Sequence, residues 1–214
     1  KRRHDYWQWA MEVMVTYGPD INIGLPDELW KKINFDDLME KFYYYGPALT
    51  CFSLASPIHQ ESLWKIRNDY GKSIRTYRRS IIAPPIEIHP EENNRLEFKL
   101  FDVPATLTEY EAYFALVLTV LLTPELSGRA SRATFIYDMG QIAIHGFYHE
   151  VSFHRASEIM QYYHSIQQKF QINEMAYTLL RQRLETKTHP SDQLAIDFIN
   201  NPQKFYDART RLEL

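Results

Sequence analysis

Residues 153–186 carry Ile159, Met160, Tyr163, Ile166, Phe170, Met175, Leu179, Leu180 and Leu184 on a helical period, which predicts one long helix. At roughly 1.5 Å per residue, one helix over this stretch reaches about 50 Å, long enough to cross a whole domain. It has more apolar positions than one core face needs. The spare face therefore reads as a surface for homo- or heterodimerisation, with Gln168 and Gln171 as seam candidates. A chain of 214 residues can bury a substantial core before it needs to split, so a single domain over residues 1–214 is expected. The chain opens at Lys1 without an initiator methionine, which suggests a segment of a longer protein.

The rest of the pattern is also mostly helical. Residues 5–17 read as a first helix stopped by Gly18-Pro19. Pro26 opens a second, broken near Asn34 and ending at Gly46-Pro47, and the apolar run 48–55 reads as a buried helix in preference to a buried strand. Over residues 59–80, Leu63, Ile66, Tyr70, Ile74 and Tyr77 make an apolar stripe, which predicts a long amphipathic helix. Residues 81–89 and 96–103 alternate apolar and polar around the turn-like 90–94, and predict a small hairpin. Helix returns at 108–123, with Thr108 as cap and Glu111 three residues on, and at 131–150, weakened by Gly140 and Gly146. Pro190 ends the long helix. Ser191 or Asp192 then caps a closing helix through Ile199, stopped by Asn200-Asn201-Pro202. The fold class is all-α with one small β-hairpin.

Several functions are disfavoured at this level. A composition 45% hydrophobic and 24% charged is ordinary for a folded domain. The formal charge is −3, and basic residues are scattered apart from 1–3 and 75–79, so no direct nucleic-acid contact is expected. Cys51 is the only cysteine, which forbids an intrachain disulfide and an all-cysteine zinc site and favours a reducing compartment. The apolar run 115–122 is far short of the roughly 20 residues a membrane-spanning helix needs.

Catalytic signals are sparse. His145, His149, Glu150 and His154 could share a helix face and hold a metal, since imidazoles four residues apart lie on one side. The glutamate, however, does not follow the first histidine as in a zinc-protease helix, and the next histidine after His149 is five residues on. Surface histidines are the simpler reading, and a helical metalloenzyme is the less favoured one. No phosphate loop, serine elbow or cysteine-histidine pair is visible, so no enzyme and no cofactor are expected. The aromatic content of 14%, with 12 Phe and 15 Tyr, suits either an apolar pocket or a densely filled core. In the closing helix, Leu194, Ala195 and Ile196 precede Asp197, and Phe198 and Ile199 follow it. Such a unit is too short to be stable alone and must dock.

These residues together resemble the ligand-binding domain of nuclear receptors, in a divergent, nematode-like form. Leu107-Thr108-Glu109-Tyr110-Glu111-Ala112-Tyr113-Phe114-Ala115-Leu116-Val117-Leu118, followed by Leu121-Leu122-Thr123-Pro124-Glu125-Leu126-Ser127-Gly128, resembles the family's seventh helix and its proline-acid-glycine turn. Arg155-Ala156-Ser157-Glu158-Ile159-Met160, continuing through Ile166 to Met175 and Leu179, is similar to the tenth and eleventh helices. Residues 136–148 match the ninth helix in length, and the hairpin falls where the family has its small sheet. Trp30, Lys32, Phe35 and Leu38 echo the signature of the first half, with Glu40-Lys41 where the family has Asp-Gln.

The resemblance implies a three-layer helical sandwich, a nuclear location and a zinc-bearing DNA-binding module outside this chain. It implies a small lipophilic ligand touching Phe170, Asn173, Ala176, Tyr177 and Leu180, with Asn173 as the orienting polar group. It also implies a groove for an LxxLL-type coregulator helix, with Leu194 and Phe198 beside it and Lys32 and Asp197 as opposite caps for the orphan carbonyls and amides of that helix. A receptor-like interaction domain with no ligand, its cavity filled by its own aromatics, is the alternative.

Overall fold

The computed structural model describes residues 18–79 and 83–203, and helices dominate it, interrupted by three small antiparallel sheets. The helix expected over 5–17 lies outside the described residues, as does Ile81. After strand β1 (Ile21–Gly24) comes a single turn, α1 (Asp27–Trp30). The Asn34 side chain then accepts hydrogen bonds from the Asp36 and Asp37 amides at 3.1 and 3.2 Å and starts α2 (Phe35–Cys51). The break at Asn34 is the expected one. The stop at Gly46-Pro47 is not: α2 runs through Pro47 to Cys51, with every residue from Tyr45 to Cys51 buried. Burial of that whole face outweighs the roughly 3 kcal/mol an internal proline costs. The run 48–55 is accordingly helical only as far as Cys51.

The long amphipathic helix expected over 59–80 does not form. The chain instead makes two tight hairpins, β2 (Ile58–His59) with β3 (Ser62–Leu63) and β4 (Lys65–Ile66) with β5 (Asp69–Tyr70), and becomes helical only in α3 (Ile74–Arg79). Gln60, Glu61 and Arg67 adopt left-handed backbone at φ 47, 61 and 55°, which no right-handed helix accommodates. Of the supposed stripe, Ile66 and Tyr77 pack on a satellite core of Trp64, Ile74 and Ala143, while Tyr70 is exposed.

The expected hairpin is present as β6 (Ile86–His89) and β7 (Arg95–Phe98), turning through left-handed Asn93 and Asn94. β1, which the sequence reading did not anticipate, pairs with β7 to give the order β1-β7-β6. Helix α4 (Leu107–Leu122) is capped by the Thr106 hydroxyl on the Glu109 amide at 3.2 Å, rather than by Thr108 with Glu111. It is apolar nearly all round and correspondingly buried from Ala115 to Val120. Helix α5 (Arg132–His145) begins at a Ser131 cap and stops before the expected Glu150. There Gly146 takes φ +55° and the chain passes through one 3-10 turn, Gly146–Tyr148.

The 50 Å helix is also two helices, α6 (Glu150–Lys169) and α7 (Glu174–Thr186), packed against each other. The break is a Schellman closure: Ile172 N–H donates to Gln167 O at 3.0 Å and Gln171 N–H to Gln168 O at 3.2 Å, with Gln171 left-handed at φ 53°. Asn173 then caps α7 through the Met175 amide. The continuous 153–186 face expected for dimerisation is therefore absent. A second such closure at Lys187 ends α7 and leads to α8 (Pro190–Asn200), in which Pro190 is the first helical residue and His189 the cap, rather than Ser191 or Asp192.

The main core lies where α2 meets α4, α5 and α6, with α7 closing over α4. Phe42, Tyr45, Phe52, Phe98, Phe101, Tyr113, Phe147 and Tyr163 fill it. Two buried arginines and the half-buried Arg183 stitch distant segments across it. Arg75 pairs with Asp102 at 3.0 Å, Arg155 with Asp138 at 2.6 Å, and Arg183 with Glu109 while also donating to Phe52 O at 2.9 Å. No helix of the described residues is long and apolar enough to cross a membrane.

Candidate functional site

The closing helix α8 is attached by its first turn. The Ser191 amide donates to Leu54 O at 2.8 Å, and Lys72 Nζ pairs with Asp192 Oδ1. The His189 N–H donates to Asp192 Oδ2 at 2.8 Å, so the acid three residues past the cap closes the helix start. The His189 ring is fully buried, stacks on Phe147 at 5.0 Å between centroids, and accepts the Phe147 N–H on Nε2 at 3.0 Å. An imidazole accepting on Nε2 is neutral with its proton on Nδ1, which lies 3.3 Å from Asp192 Oδ2. Gly146 makes this approach possible, because a Cβ there would come within 2.2 Å of His189 Nε2.

Burial pushes the His189 imidazole below its ordinary pKa, against the opposing pull of Asp192. For Asp192, burial opposes ionisation, but hydrogen bonds from His189 and Lys72 outweigh it and hold the carboxyl well below the usual carboxylate range. The sequence reading missed this latch. The His189-Pro190-x-Asp192 spacing was its one local signal, and Lys72, 120 positions from Asp192, had none.

Beyond its first turn α8 is loosely covered. Phe198 is buried and Leu194 half-buried, whereas Ile196 and Ile199 are 52% and 64% exposed. Asp197 is exposed and accepts from Gln193 Nε2 at 2.7 Å. Lys32 is exposed just after α1, its ammonium without a hydrogen bond or ion pair among the described residues. Its neighbours Trp30 and Phe35 pack ring to ring at 4.5 Å, and Leu38 enters the core. Lys41 is buried and donates to Thr123 O at 2.7 Å, so it caps the C-terminus of α4. Burial and neighbouring Arg129 bring its ammonium down to about 8.

The five candidate ligand residues split into two groups. Ala176 and Leu180 are fully enclosed in the core, and Tyr177 is half-buried and stacked on Tyr163 at 5.8 Å. Phe170 and Asn173 are exposed at the α6–α7 turn, where the Asn173 amide oxygen accepts from Met175 N at 2.9 Å.

The histidine constellation is dispersed. His149 Nδ1 lies 2.9 Å from Ser152 Oγ, His154 packs edge-on against Phe153, and His145 is exposed at the end of α5. Among the described residues, metal-capable groups converge at Glu87, His89 and Glu97 and at His89, Glu91 and Glu92, and neither includes those three histidines. Glu97 already pairs with Arg95 at 2.8 Å and Lys99 at 3.1 Å, and Glu87 with Lys99 at 2.8 Å, so these carboxylates have cations in place. No family model, no curated protein and no solved structure matches the chain.

Proposed function

We propose that this chain is the ligand-binding-type regulatory domain of a nuclear-receptor-type transcription factor, a three-layer helical sandwich that works in the nucleus by presenting α8 to an LxxLL-type coregulator helix. The observation that carries the reading is the mode of attachment of α8: a polar latch at its first turn, with Ile196 and Ile199 left exposed around Asp197. A short helix held this way is a two-state element, and a partner or ligand biases it only by its differential affinity for the docked state. Apolar side chains of the partner would lie along α8, with Lys32 and Asp197 capping the two ends of the partner helix.

Titration of an LxxLL-containing peptide tests this. Asp197→Ala and Lys32→Ala should each lower affinity roughly ten- to hundred-fold, the worth of a charged hydrogen bond, with thermal stability unchanged. Unchanged affinity in both variants would sink the proposal.

The ligand-independent form is favoured by one specific observation. Ala176 and Leu180 are at 0% exposure within a core already filled by Phe42, Phe52, Tyr113 and Tyr163. Native mass spectrometry separates the two forms, since a stoichiometric co-purified lipid would restore the ligand-dependent reading.

A further inference from the structure

On the outer side of the satellite core the molecule has an open groove of about 430 Å³, a volume that suits a one- or two-ring ligand. One wall is a single face of α5, supplied by Ile136 and Tyr137, Gly140 and Gln141, then Ile144 and His145, which repeat at one-turn spacing. The other wall is the β4–β5 hairpin and Tyr77 of α3. The amides of Lys72 and Ser73 both donate to Ala143 O, at 2.8 and 3.0 Å, and hold the two walls together. The groove is thus part of the fold and not a gap between independent segments.

Its chemistry is divided. Ile66, Ile136 and Ile144 form an apolar floor, each partly buried. Around that floor, Arg67, Gln141 and His145 engage no hydrogen bond or ion pair among the described residues, so their donors are uncommitted. Arg67 is carried at the hairpin turn in left-handed backbone, and it forms no ion pair with Asp69, the one carboxylate of the lining. At Gly140 a Cβ would meet no atom within 4 Å, so its glycine serves neither close packing nor a strained backbone, and its effect is to leave the groove open.

We infer that this groove, separate from α8 and from the candidate pocket residues between 170 and 180, is a binding site for a small aryl carboxylate. The ring lies on the isoleucine floor and the carboxylate accepts from Arg67 and His145. Guanidinium and imidazole donors match a carboxylate head, and the apolar floor with flanking Tyr77 and Tyr137 matches a planar body.

The test is titration of the intact chain with 2-naphthoate, with cationic 2-naphthylmethylammonium as the charge-reversed comparator, followed by calorimetry or ligand-observed NMR. A ligand of this size should saturate one site with Kd on the order of 0.1–1 mM, and the cation should bind at least about fivefold more weakly. Gly140→Phe fills the groove from open space and should reduce naphthoate binding at least about tenfold while leaving the melting temperature unchanged or raised. Gly140→Ala, too small to fill it, should keep binding and gain stability from helix propensity. Arg67→Ala should weaken naphthoate about three- to fivefold and leave the cation unaffected. Naphthoate binding that survives Gly140→Phe, equal binding of the cation, or no saturable binding at several times the expected Kd would each overturn the inference.

Discussion

Helices α6 and α8 are both amphipathic, and they are held in opposite ways. α6 buries Ser152, Arg155, Ala156, Ile159, Met160, Tyr163, Ile166 and Gln167 along its whole length, against α2 and α4. α8 buries only Ser191 and Phe198, and its attachment is the His189, Ser191 and Asp192 latch. Burial distributed over many turns does not hang on one titrating group and yields only with the domain. A latch of ionisable and hydrogen-bonding groups concentrates its hold in one turn, so it can open while the core stays folded.

The largest expected effect lies on the α6 side. Arg155→Ala leaves Asp138 buried and unpaired, since the two side chains are only 8% and 6% exposed, and it removes the guanidinium stacked 3.9 Å over Tyr44. Loss of one partner of such a pair costs about 3–5 kcal/mol. Urea unfolding should show this loss in one transition shared by all probes. If α8 alone loosened, the contrast between the two helices would fail.

The next effect is on pH. His189 has a folded pKa below its unfolded value near 6.5, so the stability it contributes is present above that value and is lost as pH falls below it. Each unit of acidification should weaken the latch by about 1.4 kcal/mol until the folded pKa is reached. Asp192 is also lowered, but its contribution is lost only below its ordinary 3.8, so the histidine response, which sets in as pH falls below 6.5, comes first. His149, likewise pushed down by burial, titrates in the same window but lies at the start of α6. Hydrogen exchange should therefore show α8 amides losing protection on acidification before α4 amides do. His189→Gln keeps an acceptor for Phe147 N–H and should flatten the α8 response. Parallel loss in α4 and α8 would mean that the latch does not open independently.

The smallest effect sharpens the same comparison. The Lys72–Asp192 pair is about a quarter to a third exposed, so solvent screening limits it, and Lys72→Ala should cost only about 0.2–1 kcal/mol. That loss should appear in α8 exchange rates and leave the midpoint of global unfolding nearly unchanged.

What was legible in the sequence was local. The break at Asn34 and the helix start at 131 fall on residues whose side chains reach their own backbone two or three residues on, and α4 is mostly apolar from Phe114 to Leu122, so none of these needed distant partners to be read. Thr106 was misjudged by two residues, a shift that left the helix in place. Among the site residues, the need of the closing helix to dock followed from its shortness, whereas its cap was expected at Ser191 or Asp192 and is His189.

The failures share a cause. A period of 3.6 in apolar residues reports which side chains want burial, but it is silent on a single left-handed residue. Gln171 divides 153–186, and Gln60, Glu61 and Arg67 turn the 59–80 stripe into hairpins, all without glycine to announce them. Strand β1 gains its place only by pairing with β7, some 75 residues away. The Arg155–Asp138 and Arg183–Glu109 pairs, the burial of His189 beside Phe147, and the groove beneath Gly140 likewise exist only once distant segments meet. By itself the sequence determined the helical class, most helix starts and the amphipathic character of the closing helix, because caps and apolar period act over a few residues. Where those helices end, which charges are buried in pairs and how α8 is held were decided by tertiary structure, because the free energy of each depends on burial that no local segment supplies.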